Sequence, residues 1–310
     1  MKKLFRFIYC LCFVACGILL NSCNNPAPTE LVQDNPSIQN PIQVEVVTKD
    51  PTDEYYNNGF DTTGVANPVI NYSNVINVSG IKTTENNVTT KISFAQAIFY
   101  NRNMPFREPS GRLIGYQTVT PGKVKFNNIF AMTVPYKINY NNHGMHADTI
   151  LGNMFALTRG MMGQFNFDYN SSINFQYIPM QGHSVNFDIP TPKEIIGKVI
   201  LSGKIKNKTL SCLLNWDKGN PSDSIEIILG AVTTAQNSNG TYSTLPLYKI
   251  KTRDTGKLLI PAKLVNEIPQ NKFNKLVLTF VRKYQIHFTG SGSDLFILSQ
   301  SIHSIILDIP

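Results

Sequence analysis

From Ile42 onward, apolar and polar side chains alternate with a period of two, and helical periodicity is nearly absent. A β-strand sends successive side chains to opposite faces, so this alternation marks strands with one buried face and one wet face. Ile42, Val44 and Val46 open the pattern. Phe130, Met132, Val134, Tyr136, Ile138 and Tyr140 form its longest apolar face, with Thr133, Lys137 and Asn139 opposite. Phe165, Phe167 and Tyr169, then Ile173, Phe175 and Tyr177, flank Asn170-Ser171-Ser172, which predicts a hairpin about that polar turn. Further strands are expected at 90–100, 197–203, 209–216, 224–230, 246–251, 275–282, 284–288 and 295–309. The helical candidate is Pro261 to Ile268, two turns with proline placed where its missing N–H costs nothing.

Many short strands separated by turn signals predict an all-β fold built of β-sandwiches. The length allows one large sandwich, but two tandem β-sandwich domains fit the spacing better: 42–162 and 163–310, dividing near Gly160-Met161-Met162-Gly163. Hydrophobic residues make up 42% of the chain, as suits a globular body, whereas charged residues are 15%, below the usual share of about 25%. Asparagine supplies much of the polar surface instead. The formal charge of +8 is dispersed, with Lys204, Lys206 and Lys208 its densest run. Those lysines are expected on one face of a strand, guarding a sheet edge. With no basic helix and no arginine-rich arm, nucleic-acid binding is unsupported.

The first residues have a different character. Met1-Lys2-Lys3-Leu4-Phe5-Arg6 is basic, and Phe7 to Leu20 is an apolar run shorter than the roughly twenty residues a membrane-spanning helix needs. Small polar residues follow, the layout of an export signal. Leu20-Asn21-Ser22-Cys23 then resembles the bacterial lipobox, an apolar residue and two small ones before a cysteine. The resemblance implies removal of residues 1–22 and a lipid anchor on Cys23. Stable anchoring needs at least two acyl chains, which a triacylated cysteine supplies. The leader would take Lys2, Lys3 and Arg6 with it, leaving +5 of the formal +8. Residues 23–41, rich in Asn, Pro, Gln and Thr, read as a disordered tether between lipid and body. The expected location is the outer membrane. Surface display stays open, because no acidic residue precedes Glu30 after the cysteine.

Of five cysteines, Cys10, Cys12 and Cys16 lie in the leader and Cys23 takes the lipid, which leaves Cys212. A single thiol forms no intramolecular disulfide and no cysteine metal cluster. Within Leu210-Ser211-Cys212-Leu213-Leu214-Asn215-Trp216 it reads as a small buried hydrophobe, and Trp216 as core.

The C-terminal half carries a recognisable order of motifs. Trp216-Asp217-Lys218-Gly219 precedes the alternating strand Ser224 to Leu229; Asp254-Thr255-Gly256-Lys257-Leu258-Leu259-Ile260-Pro261, the short helix and the strand Lys275 to Arg282 follow. Residues 195–285 thereby resemble the immunoglobulin-like modules of lipoproteins from Bacteroidetes-type bacteria. Such modules are generally non-catalytic, so the resemblance implies architecture more than activity.

Few residues bear chemistry. In Asn141-Asn142-His143-Gly144-Met145-His146-Ala147-Asp148, the side chains of His143, His146 and Asp148 suit Zn²⁺ if the loop folds back on itself. The histidine spacing helps only on a helix, however, and Gly144 among asparagines marks a hairpin tip, so a polar turn is the simpler reading. Gly182-His183-Ser184-Val185-Asn186 lacks the second glycine and the following helix of a nucleophile elbow. Gly290-Ser291-Gly292-Ser293-Asp294 lacks the lysine and helix of a phosphate loop. Tyr55, Tyr56, Phe60, Tyr100 and Phe106, in or beside loops, are the residues suited to stacking on sugar rings; the competing expectation is packing over the sandwich ends. These readings converge on a non-catalytic envelope lipoprotein without a cofactor, binding or displaying a glycan or a protein partner. Two other classes stay open: a fimbrial-type structural subunit donating the strand Leu295 to Ile309, and a metal-assisted hydrolase built on 143–148.

Overall fold

The computed structural model describes residues 42–47, 72–107, 109, 111, 113–142, 145–158, 165–236, 242–288 and 294–310. They are all-β apart from two short helical turns. In chain order the strands are β1 (Gln43–Val46), β2 (Asn74–Glu85), β3 (Val88–Arg107), β4 (Leu113–Val119), β5 (Gly122–Phe126), β6 (Ile129–Phe130), β7 (Met132–Asn142) and β8 (Met145–Thr158). They continue as β9 (Ser172–Pro179), β10 (Val185–Pro190), β11 (Gly197–Ser202), β12 (Ser211–Trp216), β13 (Ser224–Gln236), β14 (Tyr242–Arg253), β15 (Lys257–Ile260), β16 (Phe273–Phe288) and β17 (Leu295–Asp308). The helical turns are a 3₁₀ turn, Ile205–Asn207, and α1, Ala262–Asn266. No helix among the described residues is long and apolar enough to cross a membrane.

One long sheet runs β1-β14-β13-β16-β17-β2-β3-β8-β7, with β4 added to β3. The last strand in the sequence lies at its centre: β17 is antiparallel to β16 from Leu295↔Phe288 to Asp308↔Lys275, and parallel to β2 from Leu295↔Asn74 to Ile306↔Glu85. A four-stranded sheet, β10-β9-β5-β6, and a three-stranded sheet, β11-β12-β15, complete the fold. Asparagine makes two of the tight connections. Asn86-Asn87 joins β2 to β3 and Asn127-Asn128 joins β5 to β6, with φ of 50°, 63°, 46° and 64°. A two-residue type I′ turn needs positive φ at both positions, and asparagine tolerates it better than most side chains.

Both smaller sheets cover the same face of the long one. Ile76, Val78, Ala95, Ala97, Phe155, Leu157 and Ile297 of the long sheet meet Val124, Phe126, Ile173, Phe175 and Ile189 of the four-stranded sheet. The Phe126 ring meets Phe165 and Phe175 edge-on, with centroids 6.3 and 5.4 Å apart. Each such side chain contributes about 1.5–3 kcal/mol by leaving water. Farther along that face, Phe280 of β16 takes Trp216 of β12 at 6.1 Å. Gly197 approaches the same ring so closely that a Cβ would fall 2.4 Å from it, which leaves room only for glycine. On the opposite face, Val75, Ile98, Phe296 and Leu298 form a second core with Ile114, Tyr136, Ile138 and Leu151.

Between the smaller sheets the chain crosses β17 without strand partners, and here β17 becomes polar. Ser301 Oγ accepts the Ile195 N–H and His303 Nδ1 accepts the Gly197 N–H, each at 2.9 Å, while Lys82 pairs with Glu194 at 2.6 Å. Side chains thus supply the hydrogen bonds that a buried connecting backbone would otherwise lack.

The structure departs from the sequence-based expectations in several places. Among the described residues, the expected domains 42–162 and 163–310 share the long sheet and its core. The cause is β17, which pairs with β16 on one side and β2 on the other. The hairpin expected across 165–177 forms only its second arm, β9; Phe165 and Phe167 pack into the core from irregular chain. The strands expected at 275–282 and 284–288 are one continuous strand, β16. Phe130 belongs to β6 rather than to the strand that begins at Met132. Lys204, Lys206 and Lys208 lie around the 3₁₀ turn, not on a strand: Lys208 takes a left-handed φ of 55° and the Thr209 N–H closes back on the Lys204 carbonyl.

Candidate functional site

Arg282 is an unusual residue for the inward face of β16, because a guanidinium leaves water only when its donors are satisfied. Asp254, in the turn between β14 and β15, supplies the counter-charge, with Arg282 Nε 2.7 Å from Oδ2 and Nη2 2.9 Å from Oδ1. Trp216 Nε1 donates to the same Oδ1 at 2.8 Å, and the Gly219 N–H also reaches the carboxylate. Burial by itself pushes the Asp254 carboxyl upward, but the bonds from Arg282, Gly219 and Trp216, with the guanidinium charge, hold it below its ordinary value. The remaining donors of Arg282 go to backbone: Nη1 to the carbonyls of Lys193 and Glu194 at 3.1 and 3.0 Å, and Nη2 to that of Asp217 at 2.8 Å. All five N–H groups of the guanidinium are therefore engaged. The arginine ties together the crossing segment, the end of β12 and the β14–β15 turn.

Arg282 and Asp254 form part of the wall of a cleft of about 570 Å³. Lys193, Lys218, Asn220, Asp223, Lys283 and Tyr284 are among its other lining residues. The loop after β12 is fixed by its own bonds: the Asp223 N–H reaches the Asn220 carbonyl at 2.9 Å, the Ser222 N–H reaches Asn220 Oδ1 at 3.2 Å, and the Asp254 N–H reaches the Asp223 carbonyl at 3.0 Å. Lys193 Nζ donates to the Lys218 carbonyl at 3.0 Å, and Lys283 Nζ to Glu226 Oε2 at 2.8 Å. Neither histidine nor cysteine lines the cleft. Its chemistry is that of a polar, cation-lined recess on a rigid floor.

The residues singled out from sequence lie elsewhere. Cys23, Tyr55, Tyr56, Phe60 and His143 fall outside the described residues. His146 pairs with Asn141, and Asp148, exposed, with Asn139 across the paired strands β7 and β8. Among the described residues no group of three His, Cys, Asp or Glu side chains is placed to hold a metal. Tyr100 is a correction: it is 7% exposed within the second core, with its hydroxyl 3.1 Å from that of Tyr136. Burial, reinforced by Tyr136, pushes its pKa well up. Phe106 packs, half-buried, against the same core. Tyr100, buried there, is not open to a sugar ring. Cys212 is buried, its thiol pushed up to about 12 by burial, and Trp216 is 6% exposed.

Trp216-Asp217-Lys218-Gly219 and Asp254-Thr255-Gly256 stand out in the sequence as features of a module, with nothing local to bring them together. The available signal was Arg282, a charge at a position that alternation places inward with Leu278 and Phe280. Comparison with protein families, with curated proteins and with solved structures finds no match for the chain.

Proposed function

We propose that the protein is an envelope lipoprotein, held at the outer membrane by lipid on Cys23, whose β body binds a ligand without transforming it. The observation that carries the binding part is the cleft: a recess of about 570 Å³ built from the crossing segment, the β12–β13 loop and the β14–β15 turn. Concave sites with a few convergent polar groups are where small ligands bind. Here the walls are fixed in advance by Arg282, which lowers the ordering cost of binding. The leader and the Leu20-Asn21-Ser22-Cys23 motif support the anchor, and the resemblance of residues 195–285 to lipoprotein modules points the same way.

Two measurements test the two parts separately. Cys23→Ala should abolish partition of the processed chain into detergent; a processed variant that still partitions rules out the lipid anchor. For the body, full-length protein in detergent is screened by thermal shift against saccharides, peptides and small acids. A ligand that binds the folded state raises the melting temperature as its concentration exceeds Kd. Ser222→Trp, at the exposed mouth of the cleft, should remove that response, and a response that survives it places binding elsewhere.

A further inference from the structure

We infer that the cleft recognises an oxyanion, a carboxylate, sulfate or phosphate carried on a small polar ligand, and that Lys193 and Lys218 are the pair that engages it. The inference rests on the binding reading above and adds the class of ligand.

The structure forces these two lysines together. Arg282 accepts no role toward a ligand, since its donors are all spent on Asp254 and on three carbonyls. One of those carbonyls is that of Lys193 itself, and another is that of Asp217, the neighbour of Lys218. Closing the guanidinium onto both segments brings two cationic residues, 25 positions apart on either side of β11 and β12, to one wall. Lys193 then lays its ammonium on the Lys218 carbonyl at 3.0 Å. Two exposed lysines lining one recess give it a positive field that draws in anions.

The surrounding charges leave that field in place. Asp254 is cancelled by Arg282 at 2.7 Å, and Lys283 by Glu226 at 2.8 Å. Among the described residues, neither Lys193 nor Lys218 has a carboxylate within ion-pair distance. Asp223 is the acid that opposes them in the lining. An ammonium carries three donors, and Lys193 spends one on the Lys218 carbonyl, so both residues have donors for a second acceptor. Asn170, Asn220 and Ser224 add neutral hydrogen-bonding groups, and Tyr284, 41% exposed, offers a ring face and a hydroxyl to the uncharged part of the ligand.

The test uses full-length protein in detergent, titrated by calorimetry with sulfate, phosphate and glucuronate, against sodium chloride at matched ionic strength and against glucose. At least one of the three oxyanions should bind saturably and chloride should not. The sulfate, phosphate and glucuronate arms separate the possible oxyanions. Lys193→Gln with Lys218→Gln should weaken that binding at least tenfold, while Lys204→Gln with Lys206→Gln, the same charge change on the 3₁₀ turn, should leave it unchanged. Near-ultraviolet dichroism of Trp216 confirms that each variant is folded. The inference is overturned if none of the three oxyanions binds, or if the Lys193 and Lys218 changes leave affinity intact. Glucose binding that Ser222→Trp abolishes, in the absence of oxyanion binding, overturns the ligand class while the binding function stands. A protein that binds nothing in the calorimeter and gives no cleft-dependent response in the wider screen loses both.

Discussion

Two side chains show at the residue scale how the interior is held. Asp254 is 1% exposed and answers Arg282, Trp216 and the Gly219 N–H at once. Asp254→Ala leaves a buried guanidinium without a counter-charge, a change that costs about 3–5 kcal/mol. Urea titration should show a loss of that size, and a loss below about 1 kcal/mol would mean that the clamp does not hold the junction. His303 gives a pH dependence. Its Nδ1 accepts the Gly197 N–H at 2.9 Å and its Nε2 faces Thr84 Oγ1 at 2.9 Å, so the folded state holds the ring neutral. Burial, then the nearby Lys82 charge, lowers its pKa from 6.5 against the opposing pull of Glu194. The unfolded chain therefore takes up the proton first: this stability is complete above about pH 6.5 and falls as pH drops from there toward the lower folded value, by at most about 1.4 kcal/mol per unit. His303→Gln, which keeps an acceptor but does not titrate, should flatten the melting temperature between pH 7.5 and 5.5. An unchanged slope would assign the effect to another group. The burial of Trp216 and Cys212 was legible from alternation, because each lies on the apolar face of β12 with Leu210 and Leu214 in phase. Arg282 joined to Asp254 was not, since nothing local in a sequence says which buried charge meets which.

Strand positions follow from alternation where one face is wet, as in β12 and in β7 with its exposed Thr133, Pro135 and Lys137. The signal weakens where both faces are covered. The centre of β17, Leu298-Ser299-Gln300-Ser301-Ile302-His303, is buried at every position, with Ser301 and His303 hydrogen-bonded to the crossing segment and Gln300 to β2. Period-two reading locates such a strand and says nothing of its partners. A fimbrial-type subunit would donate this strand to another copy; in this structure both its edges are occupied by its own chain. Removing residues 295–310 would separate β1-β14-β13-β16 from β2-β3-β8-β7 and expose two long unpaired edges, which aggregate. The truncated chain should lack a cooperative melt and appear in inclusion bodies or large assemblies. A monomeric truncation that melts near the full chain would show that β17 is an addition to an otherwise complete body.

The whole molecule is joined by pairings as distant as Ser79 with Gln300, 221 residues apart. The loop-closure entropy of such contacts must be met before they reward it, which makes folding slow and favours all-or-none formation of the sheet. Tandem domains would behave otherwise. Trp216, the sole tryptophan, lies in the expected C-terminal half, and its fluorescence would follow that half alone while far-ultraviolet dichroism followed both. In the observed fold Trp216 stands on Phe280 of β16, which pairs with β17, which pairs with β2, so its environment depends on strands from both halves. Urea unfolding of the full chain should therefore give coincident midpoints by Trp216 emission and by dichroism at a strand wavelength, with calorimetric and van't Hoff enthalpies in agreement. A dichroism phase that precedes or follows the Trp216 transition, carrying about half the strand signal, would restore independent bodies at 42–162 and 163–310. Coincidence would place the cooperative unit where the sheet places it, with β17 as the strand that makes two halves one.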